Sequence, residues 1–198
     1  MATTLDHVSG GRVVLGVGAG WQANEHEAYG LPLLDPGPRL DRLEETCAAL
    51  VGLLREARTT LAGRYVRLTD APRSPSPLQG HLPLLVGGGG ERRTLAIAAR
   101  YADAWHTWAE PEAFVHKVAA LEMHAARLGR NAAQIRRLNG DVLTRIDAPQ
   151  DLLAAHERAG VQEFVVRDHR DHEVAEVVAA LRAAVEATTD TEGSHQAP

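Results

Sequence analysis

Short β-branched and apolar runs alternate with helical stripes along this chain, and that alternation constrains the fold more than any other feature. Strand-like runs occur at Val13–Trp21, Leu82–Gly88, Ala102–Trp108, Arg137–Ile146 and Glu163–Asp168. Helices are expected over Pro38–Arg58, Glu91–Tyr101, Pro111–Leu128, Pro149–Ala159 and Asp171–Glu186. In the first of these, Leu40, Leu43, Cys47, Leu50, Val51 and Leu54 recur on one face at helical spacing. Around Gly63 two short runs read as a hairpin, followed by a proline-rich surface loop. Strand–helix alternation at this spacing means parallel strands joined by right-handed helical crossovers. Two architectures fit: an open doubly wound sheet, or part of a (β/α)8 barrel.

The first strand, VVLGVGAGW, reads as buried on both faces and ends in a glycine turn. Little chain precedes it to supply neighbours, so the sequence is expected to begin in the middle of a fold. GVGAGW is not a dinucleotide fingerprint: Gly16 and Gly18 match, but the sixth position is Trp21 and the next clear helix waits until Pro38. A second glycine turn, VGGGGERRT, follows the strand at Leu82–Gly88. Gly87, Gly88, Gly89 and Gly90 are expected to expose backbone N–H groups, with a helix starting at Glu91. A phosphate fits there, with Arg92 or Arg93 adding charge. A flexible turn with solvated arginines explains the same residues equally well. Both turns lie beyond the carboxyl ends of strands, where parallel α/β proteins bind ligands.

Side chains alternate along a strand, so Trp105 and Thr107 share one face while His106 and Trp108 share the other. His106 is a candidate proton donor or acceptor, and equally a packed, hydrogen-bonded residue. The ten histidines show no metal-ligand spacing, and His169 and His172 read as a solvated loop, so no metal site is expected. Cys47 reads as a small buried helix residue rather than a nucleophile.

The 198 residues can bury the core of one domain. The net charge of −5, with scattered arginines, argues against a nucleic-acid surface. No apolar stretch is long enough for a bilayer, and the N-terminus lacks the basic and apolar regions of a signal peptide. With a single cysteine no intrachain disulfide forms, so a cytoplasmic location is expected. Residues 187–198 are polar and are expected to be a disordered tail.

Four spaced segments carry a resemblance: LDHVSGGRVVLGVGAGWQANEHEAYGLP, PGPRLDRLEETCAALVGLL, AGRYVRL, and SPSPLQGHLPLLVGGGGERRTLAIAARYADAW. Together they resemble the luciferase-like monooxygenase superfamily, above all its F420-dependent oxidoreductases of actinobacterial type. The resemblance implies a (β/α)8 barrel of about 250 residues or more. Residues 1–186 are then the carboxyl-terminal part of that TIM barrel, its fourth to eighth strands, in a bacterial-luciferase-like fold. The first three strands have no counterpart in the sequence. A start codon assigned too late or a decayed gene is favoured over a fragment completed by another chain.

The implied cofactor is the deazaflavin F420, with FMN as the alternative, and the implied chemistry is hydride transfer to or from an organic substrate. Gly18, Ala19 and Gly20 are placed near the ring system, and Gly87, Gly88, Gly89, Gly90 and Arg92 on the phosphate side. Trp21 and Trp105 are placed at the pocket of the small-molecule substrate. Relatives often carry asparagine at the position of His106. The rival expectation is a non-catalytic remnant that binds a ligand or forms homo-oligomers through exposed barrel edges.

Overall fold

The computed structural model describes residues 1–140 and 149–165, together with 179, 182 and 183. The chain forms two compact units, 1–106 with 120–136, and 107–119 with 137 onward.

The first unit opens with helix α1 (Ala2–Ser9), which the sequence reading passes over because Thr3, Thr4 and Val8 are poor helix formers. A tertiary contact fixes it instead. Asp6 is fully buried and accepts from the Gln79 backbone N–H at 3.2 Å and its side-chain amide at 2.7 Å. The same amide donates to the Val13 carbonyl at 2.8 Å, tying the helix to the strand that follows. Gly10, at φ +69°, turns the chain out of the helix.

Strand β1 (Leu15–Gly18) is shorter than the expected run, and the expectation of burial on both faces is corrected. Leu15 and Val17 are half-buried, whereas Val14, Gly16 and Gly18 are exposed, because nothing among the described residues covers that face. A short helix α2 (Ala23–Ala28) then corrects the expectation of none before Pro38. None of its residues is buried, so no apolar stripe marks it.

Helix α3 (Pro36–Arg55) begins on proline, which costs nothing at the first helical positions. It buries Leu43, Cys47 and Leu54. Burial pushes the Cys47 thiol up to about 12, so this side chain packs and does not attack. Strands β2 (Arg58–Ala62) and β3 (Arg67–Pro72) form the expected antiparallel hairpin, with a register shift between Thr59 and Leu61. Glu45 of α3 holds its turn, accepting from the N–H groups of Arg64, Tyr65 and Val66 at 3.0, 2.6 and 3.0 Å.

Strand β4 (Leu84–Gly87) lies parallel to β1. Helix α4 (Thr94–Tyr101) starts at Thr94 rather than Glu91, after a turn over residues 91–93. Strand β5 (Ala104–Thr107) is parallel to β4, pairing Leu85 with Ala104, Val86 with Trp105 and Gly87 with His106. Leu82, Leu84, Val86, Leu95, Ala98 and Trp105 are the buried centre of this unit. Helix α5 (Pro111–Arg127) buries Phe114, Leu121 and Ala125, and Gly129 at φ +66° closes it. Leu128, the expected last residue of this helix, lies past its end and is exposed.

In the second unit, β6 (Arg136–Gly140), α6 (Pro149–Arg158) and β7 (Glu163–Val165) make one crossover unit. β6 and β7 are parallel, from Leu138 opposite Glu163 to Gly140 opposite Val165. The ends of the expected fourth and fifth strands, most of the helix at Asp171–Glu186, the tail, and His169 and His172 lie outside the described residues. The α/β class and its parallel pairings are those read from the alternation. No helix among the described residues is long and apolar enough to cross a membrane.

Candidate functional site

The parallel register brings the two glycine turns together. Gly18 pairs with Gly87, so β1 and β4 end side by side in glycine. A Cβ on Gly18 would sit 3.6 Å from the Gly87 carbonyl, and one on Gly87 3.7 Å from the Val17 carbonyl. Those are ordinary contacts, so what glycine provides at these two positions is open space beside the strand ends rather than relief of a clash.

Gly88 is different. Its φ of +130° is a conformation side chains rarely adopt, and a Cβ there would meet Thr94 Cγ2 at 3.0 Å. Its N–H donates to the His106 carbonyl at 2.9 Å, and its carbonyl accepts from the Trp105 indole N–H at 2.8 Å. The expectation of four open N–H groups is therefore corrected at Gly88, whose donor is bound by the neighbouring strand. Gly90 accepts from the Leu95 N–H at 3.0 Å, which closes the turn onto α4.

The two arginines after this turn part company. Arg93 donates to Asp41 at 2.6 Å and to the Gly37 carbonyl at 3.2 Å, fastening the turn to the start of α3. Arg92 is exposed and has no ion-pair partner among the described residues. It lines an outer groove of about 280 Å³ with Arg93, Arg100, His124 and Arg127.

Beyond β1, Ala19 is half-buried and Gly20 takes φ +77°. A Cβ on Gly20 would fall 2.9 Å from His26 Nε2. The Gly20 carbonyl accepts from Arg39 Nη1 at 2.6 Å. Trp21, the next residue, is 65% exposed. A pocket of about 160 Å³ opens between this strand end and α3, lined by Val17, Gly18, Ala19, Arg39, Arg42 and Thr46 among others. The sequence reading misses its two arginines. Arg39, Arg42 and Thr46 recur at helical spacing, but on a helix that also carries Asp41, Glu44 and Glu45, so nothing in the sequence sets them apart from solvated charge.

Along β5 the alternation holds: Trp105 and Thr107 are buried, and His106 is half-buried. Trp105, expected at the substrate pocket, is wholly enclosed and contacts the turn through its indole N–H. Burial lowers the His106 pKa from the usual imidazole value, so the ring is neutral at neutral pH.

In the second unit, Asn139 fixes the loop after β5. Its Oδ1 accepts from the Ala109 N–H at 3.1 Å and its Nδ2 donates to the Ala109 carbonyl at 2.8 Å. Asn139 Nδ2 lies 3.3 Å from Nδ1 of buried His156, whose pKa burial lowers. Among the described residues no group of three or more histidines, cysteines or carboxylates could hold a metal ion.

Comparison with known proteins places this arrangement. The family described as luciferase-like monooxygenase matches residues 1–140. The FMNH2-dependent dimethylsulfone monooxygenase of Pseudomonas putida is 33% identical over 141 residues, covering 68% of this chain and 39% of that protein. An uncharacterised protein of Mycobacterium tuberculosis is 38% identical over 104 residues, covering 52% of this chain and 36% of its own length. The chain thus spans well under half the length of these relatives. Among solved structures, the coenzyme F420-dependent tetrahydromethanopterin reductase of Methanopyrus kandleri superposes with a TM-score of 0.65 at 19% identity, over 83% of this chain and 70% of that one. An F420-dependent secondary alcohol dehydrogenase superposes with a TM-score of 0.63 at 19% identity, over 92% of this chain and 64% of that one. These likenesses give the fold, a luciferase-like barrel architecture of which this chain carries part. With its match covering the larger share of the sequence, the chain belongs to the luciferase-like monooxygenase family.

Proposed function

We propose that the chain forms the cofactor-holding part of an F420-dependent oxidoreductase, with FMN as the alternative cofactor. The observation that carries this reading is the pairing of Gly18 with Gly87 at the carboxyl ends of adjacent parallel strands, beside Gly88 in a conformation that side chains rarely adopt. Ligands of parallel α/β folds bind at such strand ends. Gly18, Ala19 and Gly20 offer a flat approach for a ring system, and Gly87 to Gly90 admit a phosphate closely, with Arg92 supplying unpaired positive charge. When bound, the cofactor supplies hydride transfer to or from an organic substrate, or oxygen activation if it is FMN. Trp21 stands exposed at the substrate side. Trp105 acts at one remove, holding the Gly88 carbonyl and so the shape of the turn. His106, kept neutral by burial, serves as a hydrogen-bonding group rather than a cationic acid. The single buried thiol of Cys47 fits a reducing cytoplasm.

Spectroscopic titration of the chain with F420 and with FMN tests the reading, using Gly88→Asp as the variant. One cofactor is expected to bind. The variant should bind it about tenfold or more weakly, because the side chain strains the turn by roughly 1–3 kcal/mol and its carboxylate repels the phosphate. If neither cofactor binds the wild-type chain, the proposal falls and family membership remains.

A second reading, an interaction module without catalysis, is favoured by one observation: among the described residues β1 pairs with β4 alone, leaving its other edge open.

A further inference from the structure

In the second unit one buried side chain grips the loop that follows β5. Asn139, fully buried on β6, accepts from the Ala109 N–H at 3.1 Å and donates to the Ala109 carbonyl at 2.8 Å. One amide thus holds both polar groups of one backbone residue. It has a single orientation, because the Ala109 N–H can only donate and the Ala109 carbonyl can only accept. Its Nδ2 also faces Nδ1 of His156, 3.3 Å away, so that nitrogen is an acceptor. Buried His156 is thereby fixed in the tautomer that carries its proton on Nε2, with Phe164 edge-on to the ring at 6.1 Å. A proton added at Nδ1 would set two donors against each other. Flipping the amide gives no relief, because Nδ2 would then face the Ala109 N–H and Oδ1 the Ala109 carbonyl. Burial resists that proton, and among the described residues the charged groups that favour it are Glu110, in the same loop, and Glu112, at the start of α5. Charging His156 therefore weakens the hold on Ala109. The loop begins with Trp108, which is 54% exposed just past the carboxyl end of β5. Loops at this end of parallel strands carry ligand contacts. All of these residues lie within the second unit.

We propose that Asn139 is the positioning residue of the Trp108–Glu110 loop, and that neutral His156 locks its amide in the gripping orientation, so that the Trp108 indole is presented to a substrate. The role in presenting a substrate rests on the reading of the strand ends as the ligand site. Both residues act through the Ala109 backbone, and neither is catalytic. An exposed indole suits an apolar or planar part of an organic substrate. Burial holds the His156 pKa below the usual imidazole value, so the loop is gripped at neutral pH. A form with the ring released takes up a proton more readily. The grip is therefore complete above about 6.5, the ordinary imidazole value, and weakens as pH falls below it.

The test follows two signals of the full chain, without cofactor, from about pH 7.5 to about pH 5, a range that brackets histidine titration. Exchange of the Ala109 amide, corrected for the intrinsic effect of pH, reads the grip. The fluorine resonance of fluorotryptophan at Trp108, assigned with Trp108→Phe, reads the presentation of the indole. The expected result is that Ala109 protection falls and the Trp108 resonance moves with the same midpoint, while the Trp21 resonance stays in place. His156→Asn supplies a side-chain oxygen where Nδ1 stood and has nothing to titrate. It should keep Ala109 protection within about threefold of the wild type and lose both pH responses. Asn139→Leu should lose about tenfold or more of that protection at every pH. Should Asn139→Leu not fold, the wild-type series and His156→Asn decide. A flat wild-type profile overturns the proposal, as does a pH response that survives in His156→Asn. A response at Ala109 without one at Trp108 would make Asn139 a structural contact and overturn the positioning role. Failure of F420 and FMN to bind would remove the strand-end reading without altering these two signals, so the two failures are distinguishable.

Discussion

Gly88 is held from three directions: its N–H by His106, its carbonyl by Trp105, and the space where a side chain would stand by Thr94. Of these, the indole bond is open to a clean test. Trp105→Phe keeps an aromatic ring in a fully enclosed position but removes the only donor to the Gly88 carbonyl that the Trp105 side chain provides. Removing one partner of a buried pair costs about 1–3 kcal/mol, and loss of ring volume adds to it. Urea unfolding should therefore show a loss of about 2–4 kcal/mol, and the Gly88 amide should exchange faster than in the wild type. Unchanged protection at Gly88 would remove Trp105 as the residue that sets this turn. The role of Trp105 was hidden in the sequence for a physical reason. Strand alternation correctly puts Trp105 and Thr107 on one face, but not which face is covered. The glycine run at 87–90 was plain, yet the loss of its second N–H to the His106 carbonyl depends on a partner strand and its register. Arg39 and Arg42 were missed because a guanidinium on a helix reads as solvated until a strand end is seen to close over it.

At the scale of elements, strong periodicity was legible and weak periodicity was not. Helices α3 and α5 and the β2–β3 hairpin follow from their stripes and turn glycines, whereas α1 rests on the Asp6–Gln79 contact across most of the first unit. Helix α2 carries no buried residue and so left no trace in the pattern. The hairpin itself depends on α3 through a single carboxylate. The backbone N–H groups of Tyr65, Val66 and Arg64 converge on Glu45 and hold its carboxyl below the usual range, led by the Tyr65 bond and against a smaller opposing effect of burial. A carboxylate with a depressed folded pKa stabilises the fold above its unfolded pKa. That contribution is lost as pH falls through the lower folded value. Amide exchange at Tyr65 and Val66 should therefore accelerate, relative to other amides, as pH drops below about 4.5, the ordinary glutamate value. Glu45→Gln should show the faster relative exchange already at neutral pH and lose the pH dependence. If the variant keeps wild-type protection, Glu45 does not hold the turn.

For the whole molecule, the open edge of β1 and the apolar surface near it set an expectation about association. Leu5 is 53% exposed, Val8 81% and Val14 41%, all close in sequence to a strand that pairs on one side only. An uncovered strand edge is a template for pairing with another chain. Full burial of such a side chain contributes roughly 1.5–3 kcal/mol, and in a symmetric contact each copy would bury its own set. Against this stand the lost translational and rotational freedom, about 4–15 kcal/mol, and mutual repulsion between copies of net charge −5. With only a few apolar side chains to set against those costs, self-association is expected to be weak and reversible rather than a permanent dimer. Sedimentation velocity over a concentration series should show a reversible increase in mass. The increase should strengthen with added salt, because screening weakens the repulsion while leaving apolar burial intact. Val14→Lys should suppress it, since a lysine beside a strand edge is the device natural sheets use against pairing. A chain that stays monomeric across the series at high salt would leave the interaction-module reading without support. An association unchanged by Val14→Lys would place the contact on a surface other than β1.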